Sequence, residues 1–219
     1  EYTENNATEF HSPKPFEVSD CAVTVQSSGR SFTAAFSDAL IDLLKQDSKV
    51  VAATAAMPDG TGTKKAITLF PDRVWDTGIC ESHAMDMLAG LAKTGCKPFF
   101  AVYSTFLQRA FDQAFQEVAL QGLPVRLCLD RAGVVGGDGA VHHGFCDISL
   151  LRVLPNATLL AAIDETTLKH GLQCMLQCNN GLSAIRYPRD SVSELVADSP
   201  PFVIGKAHCI LESKKPKLA

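Results

Sequence analysis

The stretch PFFAVYSTFLQRAFDQAFQEVALQG, residues 98–122, joins the two patterns that decide the fold. Its first part, PFFAVYS, is apolar without alternation, which is typical of a strand buried on both faces. Its second part, FLQRAFDQAFQEVALQG, has the spacing of an amphipathic helix and ends at Gly122, a residue type that commonly closes helices. A buried strand followed directly by a helix is the repeating unit of α/β proteins.

The same unit recurs on both sides of this stretch. Further strands are predicted at KVVAATAAM, RVWDTGI, PVRLCLD, TLLAAI and SAIRYP. Further helices are predicted at SFTAAFSDALIDLLKQD, KKAITLF, SHAMDMLAGLAKTG and DETTLKHGLQCMLQCN, with a short one after a loop that runs to about Asp147. We therefore predict a doubly wound α/β domain, a mainly parallel sheet with helices on both faces.

Composition limits the partners and the location. The formal net charge of -4 offers no basic face for a phosphate backbone, so nucleic acid is not expected as a partner. No apolar run approaches the roughly 20 residues that span a bilayer, and the first residues lack a signal-peptide pattern, so we expect a cytoplasmic protein without a membrane partner. The eight cysteines are dispersed and predict reduced thiols. Cys174 and Cys178 share a helix face, but no second pair stands at ligand spacing, so no metal site is predicted.

The strand ends indicate where a ligand binds. In doubly wound sheets, ligands bind beyond the carboxyl ends of the strands, near the point where the strand order reverses. The predicted strand ends are rich in charge, glycine and hydroxyl groups: AAMPDGTG, DTGICES, VYSTF, DRAGVVGGDGAVHHG and RYPRD. One wall of a site is expected at Tyr103, Phe106 and Arg109, which occupy a strand end and the first turn of the following helix.

Two further strand ends carry titratable groups. The loop from Asp130 to Gly144 contains five glycines together with Arg131, Asp138 and His142. It is either a flexible surface loop or a site in which glycines let the backbone approach a ligand. Glu81, at a helix start, either interacts with the helix dipole or exchanges a proton with a ligand nitrogen.

Two arginines flank Pro188 at the last strand end. Arg186 and Arg189 are either solvated surface residues or a site for carboxylate or phosphate, because the planar guanidinium donates in pairs.

These motifs together resemble the central, pyrimidine-binding domain of the 1-deoxy-D-xylulose-5-phosphate synthase family, thiamine-diphosphate enzymes of the transketolase superfamily. The resemblance rests on AAMPDGTG, FPDRVWDTGICESHA, AVYSTFLQRAFDQ, DRAGVVGGDGAVHHGFCDIS and AIRYPRD, in order over about residues 31 to 190. It implies a pyrimidine-binding domain over residues 31–199, between a linker or arm at 1–30 and a linker at 200–219. It also implies a homodimer and a cofactor shared between domains.

The resemblance implies a role for each candidate residue. Glu81 matches the carboxylate that bonds the aminopyrimidine of thiamine diphosphate and activates the cofactor, and Phe106 matches the aromatic that packs on that ring. Pyruvate then loses carbon dioxide, and its two-carbon unit is added to D-glyceraldehyde 3-phosphate. The other matching active-site residues are Tyr103, Asp138, His142, the two arginines suited to the acceptor phosphate (Arg131 and Arg189), and Arg109, whose role is less defined.

Several positions depart from the family pattern. Cys80 and Ser82 flank the glutamate where the family usually has alanine and glutamine, and Val141 stands where threonine is common. Asp190 follows Arg189 where the family has glycine, and it is expected to weaken a phosphate site by pairing with that arginine. These departures leave the catalytic residue types intact and affect the expected substrate details.

The family holds diphosphate and Mg²⁺ on a separate amino-terminal domain that has its own sequence motif. The stretch GGDGAVHHG of this chain does not match that motif. We therefore expect this chain to be the middle of a roughly threefold longer enzyme and to be inactive alone. Two alternatives are another transketolase-like thiamine-diphosphate enzyme, which STFLQRA and DRAG argue against, and a non-catalytic paralogue that serves in binding or assembly.

Overall fold

The computed structural model describes residues 4, 15, 17–20, 29–192, 199–207 and 209. Most of the predicted linkers, over residues 1–30 and 200–219, therefore lie outside the described residues. No helix in the described part of the chain has the length and apolar character needed to cross a membrane.

Six parallel strands form one sheet in the order β2-β1-β3-β4-β6-β5. The strands are β1 (Val50–Thr54), β2 (Val74–Asp76), β3 (Lys97–Tyr103), β4 (Arg126–Asp130), β5 (Thr158–Ala161) and β6 (Ser183–Arg186). All described strand pairs are parallel, as the sequence predicts. The chain adds β2 on one side of β1 and β3 on the other, so the strand order reverses between β1 and β3.

Helices cover both faces of the sheet. They are α1 (Phe32–Gln46), α2 (Lys64–Leu69), α3 (Glu81–Lys93), α4 (Phe111–Gln113), α5 (Asp147–Leu151) and α6 (Glu165–Gln177). One apolar cluster packs α1, α2 and α6 against the sheet, and a second packs α3, α5 and the segment after β3 against the opposite face. The predicted doubly wound arrangement is confirmed.

The segment after β3 differs from the regular helix that the sequence predicts. It is a 3₁₀-helix over Ser104–Ala110, then the single turn of α4, then a π-helix over Ala114–Ala119. The buried residues of its first part are Ser104, Leu107 and Ala110, three apart, which matches the three residues per turn of a 3₁₀-helix. A 3₁₀-helix places these three residues on one face, so all three are buried against the rest of the domain beside the end of β3.

The edge strands also differ from the prediction of uniformly buried strands. β5 lies at one edge of the sheet and its residues are half-buried or exposed, whereas every residue of β1 and β4 is buried. An apolar sequence alone does not distinguish an edge strand from a central one.

A fully buried arginine ties the sheet to the end of α6. Arg126 of β4 donates hydrogen bonds to the carbonyl groups of Met175 (2.7 Å), Cys178 (2.8 Å) and Pro124 (2.7 Å). Burial lowers its pKa to about 10, so the guanidinium remains charged at neutral pH. The last carbonyl groups of α6 are thereby satisfied by a charged side chain.

Candidate functional site

Four side chains from the carboxyl edge of the sheet form a continuous stack. The guanidinium of Arg131 lies 3.9 Å from the ring centre of Tyr103, whose ring stacks on Phe106 at 5.6 Å between centroids and 11° between planes. The guanidinium of Arg109 covers the Phe106 ring at 4.6 Å. Cation–π contacts at both ends and ring stacking in the middle hold the wall that the sequence predicts.

Tyr103 is the buried centre of this stack. It ends β3, next to the point where the strand order reverses. Burial raises the pKa of Tyr103 to about 12, so its phenol keeps its proton at neutral pH. Tyr103 can therefore donate a hydrogen bond but does not serve as a base near pH 7.

Glu81 joins the stack through Arg109. It is the first residue of α3 and its side chain is 2% exposed, while Arg109 Nη1 donates a hydrogen bond to its Oε1 at 2.6 Å. Arg109, which is 51% exposed, therefore contacts the carboxylate and the aromatic face at the same time. A planar group with N–H donors can reach Glu81 and Phe106 together.

Arg131 and Arg189 converge on one carboxylate oxygen. Arg131 Nε donates to Asp138 Oδ2 at 3.1 Å, and Arg189 Nε pairs with the same oxygen at 3.1 Å. Asp138 lies in a short 3₁₀ turn of the glycine-rich loop. The loop thus brings together the three charged residues that the sequence selects at two different strand ends.

His142 adds a titratable group to the same wall. Its ring meets the edge of Phe106 at 5.7 Å and that of Tyr103 at 6.2 Å. His142 Nδ1 lies 2.7 Å from the backbone carbonyl oxygen of Asp138. A carbonyl only accepts hydrogen bonds, so Nδ1 carries the proton and the neutral ring has its lone pair on Nε2.

Two expectations about neighbouring residues are wrong. Arg186 is neither a solvated surface residue nor part of an anion site, because its Nε pairs with the fully buried Asp147 at 2.9 Å. Asp190 does not pair with Arg189; its Oδ1 accepts a hydrogen bond from the backbone N–H of Ser191 at 2.7 Å. The carboxylate beside Arg189 is Asp138, which approaches from another loop.

Three residues of the site were not selected from the sequence: Asp130, Thr33 and Gly60. Asp130 is fully buried at the end of β4 and contacts both Thr33 and Arg131. The backbone carbonyl of Gly60 accepts a hydrogen bond from Arg131 Nη1 at 2.8 Å. The signals were present in DRAG and PDGTG, but an aspartate directly before an arginine does not show that its side chain turns back onto that arginine.

Metal ligands do not cluster at this edge. Within the described residues, no group of three or more His, Cys, Asp or Glu side chains is placed to hold a metal ion.

The chain is similar to proteins of one family. Residues 28–194 match the family described as Transketolase, pyrimidine binding domain. The chain is 46% identical over 207 residues to a 1-deoxy-D-xylulose-5-phosphate synthase of Aliarcobacter butzleri, covering 94% of this chain and 34% of the relative. It is 48% identical over 194 residues to the one of Clostridium perfringens strain 13, covering 86% and 30%. The chain thus spans about a third of the length of these curated relatives.

Solved structures show the same fold. A protein described as a split gene transketolase, inactive beta4 tetramer, superposes with a TM-score of 0.74 at 28% identity, covering 85% of this chain and 61% of the other. Transketolase from Leishmania mexicana superposes with a TM-score of 0.67 at 19% identity, covering 82% and 27%, and shows the fold alone.

Proposed function

The chain belongs to the transketolase pyrimidine-binding domain family, and we propose that it is the central domain of a 1-deoxy-D-xylulose-5-phosphate synthase. The reaction condenses pyruvate with D-glyceraldehyde 3-phosphate and releases carbon dioxide. One observation carries the proposal. Glu81 and Phe106 lie close enough together that a single planar group with N–H donors, the guanidinium of Arg109 in this structure, bonds the carboxylate and covers the ring. The names of the relatives favour the synthase over other transketolase-like enzymes.

The residues fit the aminopyrimidine of thiamine diphosphate. An aminopyrimidine that is protonated at a ring nitrogen is also planar and carries N–H donors, so it could form the carboxylate and ring contacts that the guanidinium of Arg109 forms here. We assign Glu81, Phe106 and Tyr103 to this part of the cofactor, and we assign Arg109 to the same part from a displaced position, because the ring takes over its contacts with Glu81 and Phe106. When bound, thiamine diphosphate supplies a nucleophilic carbon that takes up the two-carbon unit of pyruvate.

With the cofactor bound, Glu81 would hold a proton at the ring nitrogen of the aminopyrimidine. Its carboxylate is almost completely buried, so a hydrogen bond to it is shielded from water and gains strength. Phe106 would fix the plane of the ring, and Tyr103 stacks on the other face of Phe106. The same contacts exclude water from one side of the site.

The other end of the wall binds the acceptor. Arg131 and Arg189 donate to the phosphate of D-glyceraldehyde 3-phosphate, as paired guanidinium groups do for phosphate oxygens. His142 offers the Nε2 lone pair to a substrate hydroxyl and moves its proton. Asp138, whose Oδ2 already meets both arginines, contributes to catalysis by holding them in place.

The diphosphate and Mg²⁺ are assigned to a part of the enzyme outside this chain, and the active enzyme is proposed to be a cytoplasmic homodimer. Four large apolar side chains on loops at the site edge support a covering surface, because they are exposed by 61% to 79%: Ile79, Val134, Val141 and Phe145. Exposed apolar groups of this kind are typical of a surface that meets another polypeptide.

Replacement of Glu81 tests the assignment. In the complete enzyme, Glu81→Gln keeps the shape of the side chain but removes its charge, so we expect hydrogen exchange at the reactive carbon of bound thiamine diphosphate to slow by about 10²-fold or more. The exchange is followed by NMR after acid quenching. Glu117→Gln, at an exposed position of the π-helix, is the matched control. An unchanged exchange rate in Glu81→Gln would rule out Glu81 as the activating group.

A further inference from the structure

A fully buried carboxylate lies directly behind the arginine that we assign to the phosphate. Asp130 is the last residue of β4, and its Oδ1 accepts a hydrogen bond from the backbone N–H of Arg131 at 2.7 Å. Its Oδ2 accepts from the hydroxyl of Thr33 at 3.2 Å and pairs with Arg131 Nη1 at 3.0 Å. Both oxygens are engaged within the protein, so Asp130 does not contact a ligand.

The backbone of Arg131 is strained. Its φ is 60°, in the left-handed region that a residue with a side chain rarely occupies. Such strain persists only where the surroundings over-determine the conformation. Here the Asp130 carboxylate holds both the backbone N–H and the guanidinium of the same residue.

The conformation turns the Arg131 side chain across the ring of Tyr103 towards the loop after β1. Its Nη1 donates to the carbonyl of Gly60 at 2.8 Å. A Cβ at Gly60 would overlap the Tyr103 hydroxyl, so only glycine lets this carbonyl come so close. Arg131 Nε donates to Asp138, and its Nη1 contacts Asp130 and the carbonyl of Gly60. Its Nη2 has no hydrogen-bond partner among the described residues.

We propose that Asp130 is a positioning residue that, with the carbonyl of Gly60, fixes the guanidinium of Arg131 so that its Nη2 amino group receives the substrate phosphate. The inference rests on the proposed function and adds to it how the phosphate donor is oriented. Asp130 acts only through Arg131. A fixed guanidinium loses little rotational freedom when an anion binds, which is why preorganisation raises affinity.

Steady-state kinetics of the complete enzyme test this role with three substrates. Asp130→Asn keeps the shape but removes the charge that holds Arg131, so we expect the KM for D-glyceraldehyde 3-phosphate to rise about fivefold or more. The KM for pyruvate and that for D-glyceraldehyde, which lacks the phosphate, are expected to stay within about twofold. In an Arg131→Ala background, Asp130→Asn should add no further effect on any of the three.

Two variants provide the controls. Asp164→Asn changes another buried aspartate, which caps α6, and should leave all three KM values unchanged. Thr33→Val removes one hydrogen bond from Asp130 and should raise the KM for the phosphorylated substrate in the same direction by a smaller factor, which keeps the test valid if Asp130→Asn does not fold.

The outcomes separate this inference from the proposed function. If Arg131→Ala raises the KM for the phosphorylated substrate but Asp130→Asn and Thr33→Val do not, the positioning role is wrong and the proposed function stands. If the Asp130 variant raises all three KM values equally, its effect is a general loss of structure and the inference is overturned. If Arg131→Ala itself has no effect, the phosphate assignment of the proposed function fails.

Discussion

At the scale of single residues, the buried Asp130 makes stability depend on pH. Burial, partly offset by Arg131, raises its pKa from 3.8 to about 6 in the folded chain. A raised pKa means that the folded state binds the proton more tightly than the unfolded state. The protonated Asp130 therefore contributes stability that is complete below about pH 4 and is lost as pH rises through about 6. The ionised form therefore costs the fold about 3 kcal/mol above this window.

Replacing Asp130 by Asn removes this titration. We expect the free energy of unfolding of the wild-type chain, relative to that of Asp130→Asn, to increase by about 1 kcal/mol or more between about pH 8 and about pH 5. Urea unfolding of both chains at the two pH values measures it. Asp42→Asn, on the exposed side of α1, is the control for the loss of a carboxylate. A difference between wild type and Asp130→Asn that is the same at both pH values would contradict the prediction.

At the scale of elements, the sequence predicts the order and type of nearly every strand and helix because its apolar periodicity is strong. It misses the 3₁₀ and π geometry after β3, because that geometry depends on how tightly Leu107 and Ala110 pack beside the strand end. It also misses the pairing of Arg186 with Asp147, since residues 39 positions apart give no local signal. The strand ends that carry the candidate residues were predictable from the sequence, but the hydrogen-bond and ion-pair partners of those residues were not.

The end of α6 offers a test at this scale. Arg126→Met removes a buried charge but leaves the carbonyl groups of Met175 and Cys178 without their donor, so we expect the free energy of unfolding to fall by about 3 to 5 kcal/mol. Urea denaturation of the chain measures the change. Arg152→Met, at the exposed position that follows α5, should stay within about 0.5 kcal/mol of wild type. Equal stability of the Arg126 and Arg152 variants would show that Arg126 is dispensable.

At the scale of the whole molecule, the chain carries one half of the proposed catalytic arrangement. We propose that Glu81 and Phe106 meet the aminopyrimidine and that Arg131 and Arg189 meet the acceptor phosphate, whereas the diphosphate and Mg²⁺ are proposed to bind elsewhere in the enzyme. The chain also spans about a third of the relatives it matches. Because we propose that another region of the enzyme holds the diphosphate, we expect this chain alone to hold the cofactor weakly.

The purified 219-residue chain is accordingly predicted to be inactive. With thiamine diphosphate, Mg²⁺, pyruvate and D-glyceraldehyde 3-phosphate, we expect no release of ¹⁴C-labelled carbon dioxide from labelled pyruvate above the background without protein, whereas the complete enzyme should release it. Adding back the remainder of the enzyme as a separate polypeptide should restore activity, and Glu81→Gln in the chain should prevent that restoration. Glu81→Gln reports a contribution of this chain, because Glu81 is buried in its own fold and contacts its own Arg109.

Carbon dioxide release by the chain alone would mean that the diphosphate is held by residues within it, and the division of the site between two regions would be wrong.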